Sequence, residues 1–186
     1  EEIIISNKEL EWSKTLSFFR ANEFKESRSL LRKSLSLLFN IDPLDVPIIA
    51  KPNKPPELIK KYGFVSLSHC KGAILVGWSK NKLGIDIENK YRQINYDKLF
   101  NKIFTDNEKN SLIKKSLDHK NQILTSWTMK ESAIKWERSS IFYNLRNWEI
   151  DFDKNKITNL KNNISLDIES FCFKDWYIST ATKKNS

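Results

Sequence analysis

The sequence predicts an α+β fold built from two similar α+β halves, residues 1–82 and 83–186, and three features carry that prediction. Apolar residues recur at helical spacing through the first 40 positions, and β-formers broken only by turn residues occupy 64–88. Helices followed by strands then return after residue 90. No low-complexity linker divides the chain, so the halves are expected to form one rigid body with a cleft between them.

Taken in order, residues 8–22 and 24–39 place Leu16, Phe19, Leu31, Leu35 and Leu38 at helical spacing and close at Asn40 before "IDPLDVP", which predicts two amphipathic helices. "KPNKPPEL", residues 51–58, holds three of the five prolines and is expected to be an extended loop, because proline forbids helix and removes a donor. "FVSLSHCKGAILVGWSKNKLGIDIE" reads as three strands turning at Lys71-Gly72 and Lys80-Asn81. Thr105 with Glu108 has capping-box spacing and starts a helix through Lys115. A second helix is expected over 121–137, then strands over 147–152, 164–172 and 175–182.

Composition narrows the function classes. A hydrophobic content of 39% with six Trp and eleven Phe excludes a disordered chain. No apolar run approaches the ~20 residues of a membrane span. The opening residues lack a basic segment leading into an apolar one, so a cytoplasmic location is expected. Cys70 and Cys172 are too few for a disulfide framework or a metal cluster and are expected to be free, buried thiols. The 32 Lys and Arg exceed the 23 Asp and Glu, giving a net charge of +9 that attracts an acidic partner or merely solvates the surface. Aromatic residues fall inside periodic apolar faces, which argues against a nucleic-acid platform.

Within this basic chain, "GIDIENK" sets Asp86 and Glu88 two positions apart. On a strand both carboxylates share one face while Ile85 and Ile87 take the other. Two acids so placed repel unless a cation lies between them, and hard oxygens favour magnesium or manganese; a solvent-facing pair bonded to lysines is the plainer alternative. In "SWTMKESAIKW", Glu131 and Lys135 stand four apart on one helix face, with Trp127 a turn earlier and expected to pack the helix. If Glu131 joins the strand acids, the three can hold a magnesium ion with Lys135 beside a substrate phosphate. In "FVSLSHC", Ser66, Ser68 and Cys70 share a face opposite Leu67 and His69, so a Cys-His nucleophilic pair is not expected. His69 suits a phosphate contact or a structural role equally.

"SLSHCKGAILVGW", "LGIDIE" and "WTMKESAIKW" resemble, in order and spacing, the signature blocks of the 4′-phosphopantetheinyl transferases, and the earlier "SRSLLRKSL" and "NKPPEL" resemble that family's first blocks. The resemblance covers roughly residues 20–182 and is to the longer, pseudo-dimeric surfactin-type members. It implies antiparallel sheets with helices, packed as an intramolecular pseudo-dimer, and a monomer acting as a magnesium-dependent holo-[acyl-carrier-protein] synthase. Coenzyme A would supply phosphopantetheine to apo carrier proteins of fatty acid, polyketide or peptide synthases. Position by position it implies Asp86, Glu88 and Glu131 as metal ligands, and Lys135 at the pyrophosphate. Ser68, His69, Arg28 and Lys54 match the 3′-phosphate pocket, and Lys130 is a further phosphate candidate. Glu131 is the expected base for the carrier serine. Segment 91–125 corresponds to the carrier-docking region, where Leu99, Phe100, Ile103 and Phe104 face either a carrier or the core, with Lys98, Lys102, Lys114 and Lys115 as flanking cations. The rival enzyme reading is a magnesium-dependent nuclease or phosphoesterase.

Overall fold

The computed structural model describes residues 2–49, 54–114, 119–139 and 145–183. Chain order gives α1 (Asn7–Lys14), α2 (Phe18–Phe39), β1 (Ile48–Ile49), β2 (Glu57–Leu58), β3 (Phe64–Cys70), β4 (Ala73–Ser79) and β5 (Leu83–Asn89). It continues with α3 (Tyr96–Ile103), α4 (Asp106–Lys114), α5 (His119–Glu137), β6 (Trp148–Asp151), β7 (Lys156–Asn159), β8 (Ser165–Phe173) and β9 (Trp176–Thr182). The mixed α+β class and antiparallel pairing follow the expectation. β1 pairs β2, β3 pairs β4, and a five-stranded sheet runs β5-β9-β8-β7-β6. Lys51 to Asn53 of the proline-rich stretch and Lys115 lie outside the described residues.

Two separate cores support the elements. Leu31, Leu35, Val46, Leu58 and Val65 form one under α2. The other gathers Ile103, Phe104, Ile134, Trp148, Ile157 and Ile168 between α5 and the large sheet. Leu-rich and β-branched positions thus fall inward at the helical and strand periods that their elements require.

Several boundaries differ from the sequence reading, each for a local reason. The first helix stops at Lys14, not residue 22. The Ser13 hydroxyl donates to the Leu10 carbonyl and that of Thr15 to the Trp12 carbonyl, so side chains compete with the helical ladder. Ser17 is extended, and α2 starts after it. Phe19 and Leu38 are exposed, because α2 turns inward a stripe that includes Arg28 and Arg32 beside Leu31 and Leu35. Arg32 is satisfied there by Glu9 at 2.8 Å and by the Pro43 carbonyl at 2.9 Å. Glu9 is itself pushed up by burial, but hydrogen bonds from Arg32 and from the Ser6 backbone prevail and hold its carboxyl below the usual range. The strand β7 was not anticipated in the Asn- and Lys-rich "KNKITN". The thiols are not buried: Cys70, the last residue of β3, is half-buried, and Cys172, next to last in β8, is exposed.

Two contacts fix where the acid-bearing strand lies. A side chain at Gly84 would place Cβ 1.9 Å from the Ser132 carbonyl oxygen and 2.4 Å from the Trp136 nitrogen, so β5 and α5 meet backbone to backbone. On the outer edge of β5, the Ile85 and Ile87 N–H groups donate to the hydroxyls of Ser66 and Ser68 at 3.1 and 3.3 Å. Side chains of β3, not another backbone, thereby join the β3-β4 pair to the large sheet.

Candidate active site

Residues 84, 86 and 88 of β5 share the face covered by α5, and both faces of the strand are buried. Asp86 and Glu88 are 3% and 7% exposed, which removes the solvent-facing alternative for the pair. Asp86 Oδ1 accepts from Lys135 Nζ at 2.6 Å and from Ser68 Oγ at 2.7 Å, and Lys135 Nζ also donates to Ser68 Oγ at 2.7 Å. Glu88 Oε1 accepts from the Asn89 N–H at 2.9 Å, while Oε2 pairs with Arg92. Arg92 in turn lies over the Trp127 ring, 5.7 Å from its centroid.

Glu131 joins these groups around a cavity of about 290 Å³. Burial, then the charge of Asp86, pushes its carboxyl up to about 8; Glu88 adds to the rise, and Lys135 and Arg92 oppose it. Three acids therefore compete for the same space. Among the described residues no three acidic, histidine or cysteine side chains converge closely enough to grip a metal as they stand. Asp86 is engaged by Lys135, and Glu88 by Arg92.

A larger cavity of about 500 Å³ adjoins the first, sharing Leu67, His69 and Lys135 as walls. It runs between α2, β3 and the end of α5 and brings together Arg28 and Lys54 with His69, three of the four residues expected at a 3′-phosphate. Arg28 is 4% exposed, its Nη1 has no hydrogen-bond partner among the described residues, and its guanidinium carbon lies 5.1 Å from the Phe24 ring. A buried cation with an unused donor in a cavity wall is suited to an anion. His69 Nδ1 sits 2.9 Å from Glu23, an ion pair when the imidazole is protonated.

Ser68 is placed differently from the expectation. Its hydroxyl donates once and accepts twice at Asp86, Lys135 and Ile87, so no capacity remains for a phosphate, and it serves to bridge β3, β5 and α5. Lys130 is also corrected. It is fully buried and donates to Glu108 at 2.7 Å, the Ile103 carbonyl at 2.7 Å and the Leu145 carbonyl at 3.3 Å. All three ammonium donors are spent in the interior, where Lys130 ties α3 and the start of α4 to α5 and cannot reach a phosphate. Burial lowers its pKa, against the opposing charge of Glu108.

In the segment expected at the carrier, Ile103 and Phe104 are fully buried and Phe100 packs against the core, so these three belong to the interior. Leu99 packs against the same core and also lines a groove of about 210 Å³ with Ile94 and Trp127, rimmed by Arg92, Lys98 and Lys102. Trp127 thus packs the helix, as expected, and also lines this groove and the acid cavity. Arg92, Gly84 and Arg138 were not singled out in the sequence. Only Gly84 carried a signal, since glycine inside a strand marks a close backbone approach.

Among the described residues no helix is long and apolar enough to cross a membrane. No curated protein matches the chain. A family model described as the 4′-phosphopantetheinyl transferase superfamily matches residues 82–181, which include β5 with its two acids, α5 with Glu131 and Lys135, and all of the five-stranded sheet but its last residue, Thr182. The match spans more than half of the 186 residues, and the chain belongs to the 4′-phosphopantetheinyl transferase superfamily.

Proposed function

We propose that the protein moves 4′-phosphopantetheine from coenzyme A to a serine of an apo acyl or peptidyl carrier protein, as a holo-[acyl-carrier-protein] synthase using magnesium or manganese. The observation that carries this reading is the junction of two cavities at Lys135, one lined by three acids and the other by cations from both halves. Coenzyme A is a polyanion with a pyrophosphate and a 3′-phosphate, and this arrangement offers separate recognition for each.

The acids fit a divalent cation. Asp86, Glu88 and Glu131 supply only hard oxygens, and burial together with the charges of Asp86 and Glu88 raises the Glu131 carboxyl against the opposing Lys135 and Arg92. Those three residues would hold the ion, which when bound neutralises phosphate charge and keeps the phosphates in line. Lys135, aimed by Asp86 and Ser68, binds the pyrophosphate and donates to the departing phosphate. Glu131, in the wall of the acid cavity, takes the proton from the carrier serine directly or through a water. The serine oxygen bonds to the β-phosphorus as its bond to the bridging oxygen breaks, and adenosine 3′,5′-bisphosphate leaves. Arg28, Lys54 and His69 hold the 3′-phosphate.

The carrier belongs on the groove of Leu99 and Trp127, whose Lys98 and Lys102 rim suits an acidic helix. The same reading includes the surfactin-type, pseudo-dimeric arrangement of halves 1–82 and 83–186, supported by the separate cores and by the family match beginning at residue 82. It also includes a cytoplasmic monomer that binds neither nucleic acid nor membrane. The test is the intact mass of an apo acyl carrier protein incubated with the enzyme, magnesium and coenzyme A. One added phosphopantetheine, lost with a chelator and with Asp86→Ala, is expected. An unmodified carrier alongside metal-dependent cleavage of a phosphodiester would transfer the site to the nuclease reading.

A further inference from the structure

Helix α5 closes on a left-handed residue that is an arginine. Arg138 has φ 62, its N–H donates to the Lys135 carbonyl at 3.2 Å, and the Ser139 N–H donates to the Ile134 carbonyl at 3.3 Å. Helices end with this pair of bonds most often on glycine, because a Cβ is disfavoured in that backbone region. A long cationic side chain at this point therefore asks for a reason beyond closing the helix.

Its surroundings supply one. Arg138 lines the cavity of about 500 Å³ together with Lys135, three residues earlier on α5. Its guanidinium pairs with Glu57 of β2, across the seam between the halves. Glu57 directly follows Lys54, Pro55 and Pro56, which form another wall of that cavity. The Glu57 side chain is 49% exposed and that of Arg138 26%, so the acid can turn to water while the arginine stays in the wall. The C-terminal end of α5 also presents partial negative charge from its last carbonyls. A polyanion seated there needs cations to offset that field, and Lys135 and Arg138 are those that the end of the helix brings to the cavity.

We propose that Arg138 is a phosphate-binding residue of this cavity, paired with Glu57 until an anionic ligand enters and takes the place of that carboxylate. The proposal rests on the coenzyme A reading above. An arginine fork engages a phosphate at two oxygens where lysine offers a point charge, so Arg138 governs how tightly the nucleotide is held.

Arg138→Gly tests this directly, since glycine relieves the left-handed backbone while removing the cation. Calorimetric titration with coenzyme A and with adenosine 3′,5′-bisphosphate is paired with thermal unfolding, for the unaltered protein, Arg138→Gly, Arg138→Lys and Glu57→Gln. The glycine variant is expected to unfold at the same or a higher temperature yet bind both ligands at least tenfold more weakly. Lysine recovers part of the loss, and Glu57→Gln binds no more weakly than the unaltered protein. A glycine variant that binds coenzyme A normally overturns the proposal. So does a Glu57→Gln variant weakened as much as the glycine one, which would make the pair a strut between halves. If the unaltered protein binds neither ligand, the coenzyme A reading falls and the proposal with it. Dephospho-coenzyme A then places the contact: a loss shared with it puts the guanidinium on the pyrophosphate, and a loss confined to coenzyme A puts it on the 3′-phosphate.

Discussion

Glu131 is the residue whose protonation the site controls most strongly. Its carboxyl is raised from an ordinary 4.5 to about 8 in the folded chain. In the metal-free protein the folded state therefore keeps a proton that the unfolded chain releases between those values. Its contribution to stability is whole below about 4.5, declines as pH rises and is gone above about 8. Urea midpoints measured in chelator from pH 5 to 8 should fall more steeply for the unaltered protein than for Glu131→Gln; parallel curves would contradict the crowding of acids. The acids and Lys135 were legible in the sequence because the two-residue strand period and the four-residue helix period are local rules. Lys130 was not, because its partner Glu108 lies 22 residues away and the contact exists only after α4 folds back on α5. The Ser68 role was hidden for the same reason, its two charged partners being 18 and 67 residues distant.

At the scale of elements, the distance between β5 and α5 decides whether the acids meet Glu131 and Lys135 at all. Gly84 sets that distance. Gly84→Ala must move the strand or the helix to relieve contacts of 1.9 and 2.4 Å against backbone. A cost of roughly 3 kcal/mol is expected, visible as a lower urea midpoint, and transfer activity should drop further than the unfolded fraction explains. An alanine variant with normal stability and turnover would show that the close approach is dispensable. Strands β3 to β5 were readable from alternation and turn residues, and α4 from its capping box, in which the Thr105 N–H donates to Glu108 at 2.7 Å. The break between α1 and α2 was not, since it depends on Ser13 and Thr15 bonding back to carbonyls, a choice that apolar periodicity does not encode. Short β7 was missed because a four-residue strand between turns offers too few positions for alternation to register.

For the whole molecule, the larger cavity is walled by segments far apart in the sequence. Its walls come from α1, α2, the Lys54–Pro56 segment, β3 and the end of α5. A ligand bound there couples the two cores. Coenzyme A at a hundredfold excess over its Kd should stabilise the fold by roughly 2.7 kcal/mol, a rise in Tm of roughly 5–10 °C for a chain this long. Differential scanning calorimetry would read it as a shift of one shared transition, and a ligand that sharpened only part of the melt would place the site within one half. The order of helices and strands was legible in the sequence. The seam between β3 and β5 was not, because it is written in hydroxyls rather than in apolar pattern.

That seam also has a consequence for how the protein behaves in a crowded solution. β5 ends the five-stranded sheet, and an end strand ordinarily offers its free N–H groups to any passing extended chain. Here the outward N–H groups of Ile85 and Ile87 are already taken by Ser66 and Ser68. A hydroxyl cannot hand a backbone ladder on to another strand, so the sheet stops there. The edge beside Asp86 and Glu88 offers no free ladder at these two positions, without a covering helix.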